Sequence, residues 1–152
     1  MMLKIRTELL RNPVALIVAG VIATVVLAIF MEGVARIVLG GPMKPAALIC
    51  QALGLDSSLL WVGEILHYGL GVIGFPIGYI IFKVITGMQS GVVSGLVWGF
   101  ILWIAAGTIM MMAAGQPLFF GFGKTMVASL VAHLAYGGVF GGVLGRSAAE
   151  EL

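Results

Sequence analysis

Glu64 and His67 stand one helical turn apart in WVGEILHYGLGVIGFPIGY, residues 61–79, a stretch otherwise apolar enough to sit in lipid. An ionisable group inside a bilayer is costly, so it points to function by default. The i, i+3 spacing is that of carboxylate di-iron bundles, which need two such motifs. The chain's other histidine, His133, lies in SLVAHLAYGGVFGG, and Leu130 occupies the place of a second Glu. That departure argues against a di-iron centre and leaves two chemistries. His67 and His133 on separate helices could ligate a haem iron axially. Glu64, His67 and His133 could instead hold a single transition metal. For a flat tetrapyrrole, Gly63 and Gly71, four residues either side of His67, would leave a clearing beside the imidazole. Met110, Met111 and Met112, with Met31 and Met43, add thioethers, which favour Cu(I), although Met is also an adaptable apolar filler.

Each polar residue also has a plainer structural role. Glu64 is near enough to a surface for water to reach it. The histidines can bond to a helix carbonyl or to Tyr68 or Tyr136, as polar groups in membrane bundles do. Glu32 and Arg36 have the i, i+4 order of a helical ion pair at the interface. No nucleophile–base pair, phosphate-binding loop or catalytic carboxylate pair can be made out, so the sequence reads as non-enzymatic.

The elements that must position these residues follow from composition. Of 152 residues, 61% are hydrophobic and 9% charged, against about 25% charged in soluble domains. The class is all-α and polytopic, with lipid as the outer solvent. Spans are expected over 13–35, 59–82, 91–114 and 125–144, each near the ~20 residues of a crossing. The first is too long for a signal-peptide core and lacks a clean cleavage site. A short interfacial helix is expected over 45–53, with Pro45 in its first turn and Gly54 as its stop. KVITGMQS is a tight connection, and GQPLFFGFGK an irregular one with its phenylalanines at the interface. The net charge of +2 gives no reason to expect nucleic acid, and the lone Cys50 excludes an internal disulfide framework. Lys4, Arg6, Arg11, Lys83 and Arg146 fall on one side of the membrane and Arg36, Lys44 and Lys124 on the other. This bias places both termini in the cytoplasm, in a bacterial inner membrane.

Twenty-three glycines recur at four-residue spacing: Gly74 and Gly78; Gly91, Gly95 and Gly99; Gly137, Gly141 and Gly145. Small residues so spaced let helix backbones touch, which compensates for the missing hydrophobic drive in lipid. These seams should pinch the half of the bundle nearer the termini. Glu32, Glu64, His67 and His133 gather in the other half. HYGLGVIG and HLAYGGVFG also suggest a parallel internal repeat.

The succession GPMKPAALICQALG, WVGEILHYGLGVIGFPIGYIIF, GLVWGFILWIAAGTIMMMAAG, SLVAHLAYGGVFGGVLG resembles a family of small bacterial integral membrane proteins known mainly as a domain of unknown function. The resemblance implies four membrane helices, makes His67 and His133 family positions, and supplies no activity. The leading expectation is a structural or accessory subunit without a cofactor, packed against other membrane proteins or its own copies in the lipid bilayer. One alternative is an electron-transfer protein binding haem b, chlorin or a metal through His67 and His133. Another is a small transporter or proton-conducting oligomer using Glu64.

Overall fold

The computed structural model describes residues 12–89 and 91–150, with side chains as far as residue 145. Lys4, Arg6, Arg11 and the Arg146 side chain, on which the orientation argument leans, lie outside these. Four helices are long and apolar enough to cross a membrane: α1 (Pro13–Leu39), α3 (Ser57–Thr86), α4 (Gly91–Ala113) and α5, which runs Lys124–Glu150. The short helix α2 (Pro45–Ala52) lies between α1 and α3. The protein is an all-α membrane protein.

Local chemistry sets the helix ends. Asn12 Oδ1 accepts the Ala15 N–H at 2.9 Å and Pro13 opens α1. The helix passes the expected stop at 35 because the first left-handed residue is Gly40, at φ 78°. Glu32 and Arg36 pair across that extra length at 3.3 Å, both exposed. Pro45 starts α2, and Gly54 turns the chain at φ 65°. Asp56 accepts the Ser58 N–H ahead of α3, and this bond holds its carboxyl below the usual range. The third helix continues to Gly87, so Lys83 is buried inside it rather than in a turn, its Nζ donating to the Gln89 carbonyl at 3.1 Å.

Gly91, Gly95 and Gly99 of α4 lie directly on α5. A Cβ on Gly95 would fall on the Gly137 carbonyl, one on Gly91 on the Gly141 carbonyl, and one on Gly99 on the His133 carbonyl. This backbone contact closes the half nearer the termini. Beside it the Tyr79 and Phe140 rings meet edge-on at 5.1 Å, and the buried Tyr79 hydroxyl bonds Ser94 Oγ at 2.6 Å. The second-span pair behaves differently from the expected seam. Gly78 makes room for the Trp98 ring, and a Cβ on Gly74 would meet only Leu70 of its own helix. It is Gly20 of α1 that approaches the α3 backbone, at the Val72 carbonyl and Pro76.

Three spans carry a π-helical turn: Phe30–Val34, Leu70–Gly74 and Ala106–Met110. In α3 the cause is Pro76, which has no N–H and crowds the carbonyl four residues earlier. The Phe75 N–H shifts to the Leu70 carbonyl, which leaves the Gly71 carbonyl without a helical donor. Tyr136 fills the gap from α5, donating its hydroxyl to Gly71 O at 2.6 Å. The α1 turn acts alike. Ala35 N–H bonds Phe30, and the released Met31 carbonyl accepts the Met43 N–H at 2.9 Å, fastening the segment that leads into α2.

Candidate ligand cavity

All three π turns contribute to the wall of one cavity of about 500 Å³ beneath α2. Met31, Leu70, Ala106 and Met110 come from the turns themselves. Such turns widen a helix and occur often at functional sites. The volume lies within the range of ligand pockets, about 300–1,000 Å³. The wall is chiefly apolar, with Leu27, Phe75 and Leu102 towards the core and Leu48 and Ile49 from α2 above. Besides Pro45 at its start, α2 is held by close contact at Gly63, where a Cβ would strike the Ala46 carbonyl and Cys50 Sγ. Gln116, in the connection after α4, donates to Gln51 Oε1 at 3.2 Å and joins two rim residues.

Both histidines reach this cavity. They come from different helices, His67 from α3 and His133 from α5. His133 is 7% exposed. Its Nδ1 lies 2.8 Å from the Ser129 carbonyl and 3.4 Å from the Ser129 hydroxyl; the carbonyl, the shorter contact, can only accept, which assigns the proton to Nδ1. In the neutral ring Nε2 then carries the lone pair, as in histidines positioned to accept a hydrogen bond or ligate a metal. His67 is half-buried; its ring meets Tyr68 edge-on at 5.5 Å, and it has no hydrogen bond among the described residues. Tyr136, the other proposed partner for a histidine, is committed to Gly71.

Glu64 is not part of this site. It is exposed on α3, outside the cavity wall. Equal depth along the helices did not bring Glu64 to the same face of the bundle as the histidines. Among the described residues no three His, Cys, Asp or Glu side chains are grouped to hold a metal ion, and Glu64 stands apart from the two histidines. The clearing expected for a tetrapyrrole is also filled. Gly63 is covered by Ala46 and Cys50, and Gly71 by Thr24. These glycines accommodate neighbouring protein rather than a flat ring. Of the methionine run, Met110 lines the cavity with Met31 and Met43, Met111 is buried outside the wall, and Met112 is 69% exposed.

The sequence reading missed two features. Thr125, Ser129 and His133 form a polar stripe at i, i+4 and i+8 on α5, and all three line the cavity. That spacing was available in the sequence. The second is the connection Leu118–Phe122. Phe119, Phe120 and Phe122 have φ of 47°, 56° and 58°, and Gly121 has 67°. A left-handed turn costs a non-glycine residue roughly 1–2 kcal/mol, so packing must hold it. Phe119 lies over Gly107 in the α4 π turn and against Trp103 at 4.9 Å, and Phe120 enters the cavity wall. Two of the three phenylalanines thus point inward rather than to the interface, and Phe122 is the exposed one.

A family model described as "Family of unknown function (DUF6789)" matches residues 10–151. No curated protein and no solved structure matches the chain.

Proposed function

The chain belongs to that family of unknown function, and from this premise we propose that it is a binding protein for a lipid-soluble ligand, which it holds without transforming. The observation that carries the reading is the cavity of about 500 Å³ with both histidines of the chain on its wall. Lipid explains the apolar outer faces of the spans, such as Ile37 at 87% exposure and Ile85 at 75%. It does not explain why three helices carry π turns that border one cavity. The accessory-subunit role expected from sequence draws on those same outer faces, and partner proteins or further copies could cover them. With Glu64 outside the cavity, a proton path through the bundle would have to do without it.

The test is to extract the protein in mild detergent and analyse it by native mass spectrometry. A bound small molecule should be present in the wild type and diminished in Ala106→Leu, which projects an isobutyl group into the space. Wild type and variant with identical bound species would overturn the binding reading. We also place the protein in a bacterial inner membrane with both termini cytoplasmic, on the Lys and Arg bias. Reporter fusions after Arg146 and between Ser57 and Ser58 should report opposite sides, with the C-terminus inside; a C-terminus outside would reverse the orientation.

A further inference from the structure

Resting on the cavity reading above, the geometry points to the ligand's class: a neutral hydroquinone-type ring on an apolar tail, one hydroxyl donating to Nε2 of His133 and the other end facing His67. Four observations converge on it. The Ser129 carbonyl fixes the His133 proton on Nδ1, so in the neutral ring Nε2 accepts and does not donate. The ligand must therefore bring a donor. His67, from a different helix, lines the same space without a protein hydrogen bond among the described residues. Polar contacts are then offered from two helices, by His133 with Thr125 and Ser129 on α5 and by His67 on α3, which suits a ring carrying hydroxyls at opposite positions better than a single-headed alcohol. Among the described residues no carboxylate or guanidinium lines the cavity, and the one charged residue of its wall is Lys44, which is exposed. A charged head placed deep inside would lack a counterion. Leu27, Phe75, Leu102 and Ile109 leave an apolar path for the tail.

A benzoquinol and its benzoquinone share size and tail and differ in donors at both ends, so the pair reports on acceptors in the wall, and His133→Leu isolates the share of His133. Binding of decyl-benzoquinol and decyl-benzoquinone to the detergent-solubilised full chain is measured by anaerobic calorimetry. The quinol should bind tighter by about tenfold or more, the scale of one hydrogen bond to a buried acceptor. In His133→Leu the preference should fall towards parity, and in Ala106→Leu both should bind more weakly. The wild-type comparison needs no variant to fold. Equal affinity of the two forms for the wild type would overturn the hydroquinone assignment while leaving the cavity as a binding site. Decanoate binding that is lost in Lys44→Met, with no quinol binding, would also overturn it and assign an acid-headed ligand at the rim. If no probe binds and native mass spectrometry shows no ligand, the cavity reading itself fails.

Discussion

The half of the bundle nearer the termini and the half beneath α2 use the same spans and nearly the same apolar composition, yet one closes to backbone contact and the other holds a cavity. In the closed half the α4 and α5 glycines keep a strict four-residue register, which places a small residue on the shared face at each turn. In the open half the register is broken. Each of α1, α3 and α4 carries a π turn, and α5 turns its Thr125, Ser129 and His133 stripe inward. Regular spacing brings helices together in lipid. The π turns free carbonyls, at Met31 and Gly71, which then fasten neighbouring segments.

Substitutions can break this comparison, beginning with the seam. Gly95→Leu or Gly141→Leu places an isobutyl group where a neighbouring backbone lies. The expected loss is about 3 kcal/mol or more, the upper end for overpacking, read as a collapse of thermal stability in detergent. Gly69→Leu, where nothing lies within 4 Å of an added Cβ, is the control and should be tolerated. Gly121 would be a poor control, because at φ 67° a side chain there is strained whatever the space. Equal stability of the seam variants and Gly69→Leu would remove the contrast between the halves.

Tyr136→Phe comes next. It deletes the donor to the Gly71 carbonyl and leaves a buried acceptor without its partner, at a cost of about 1–3 kcal/mol. A thermal midpoint matching wild type would show that the π turn does not depend on α5. Ala106→Leu sharpens the comparison from the other side. The same kind of enlargement that ruins the seam enters free space here and should shift stability by less than about 1.5 kcal/mol, within the range of tolerated apolar swaps. Severe destabilisation would mean that the cavity lacks room. Glu32→Gln should have the smallest effect, about 0.5 kcal/mol or less, because both partners of that ion pair are exposed. A larger change in chemical denaturation would give the pair a role beyond the surface.

Much of this architecture was legible in the sequence for physical reasons. Apolar length located the four spans, Pro45 and Gly54 delimited α2, and the glycine register of α4 and α5 announced their contact. The π turns were not legible, since one extra residue in a helix leaves hydropathy unchanged; Pro76 was the only local hint. Nor was the left-handed turn at Phe119–Phe122, because phenylalanine has no preference for that conformation and tertiary packing on Gly107 and Trp103 imposes it. Gly63 and Gly71 were visible as gaps, but a gap in sequence does not say whether a cofactor or a neighbouring helix fills it. Depth along a helix brought Glu64 to the level of the histidines, whereas the side of the bundle it faces depends on how α3 is rotated against its neighbours.

The contrast between halves is tested most directly by thiol accessibility. With Cys50 replaced by Ala, single cysteines are placed at Ala106, on the cavity wall, and at Ser94, fully buried in the closed half. Each variant is treated in detergent with a small neutral maleimide. The account predicts that Ala106→Cys is labelled while the protein is folded and that Ser94→Cys reacts only after unfolding. Both thiols reacting alike in the folded protein would contradict it.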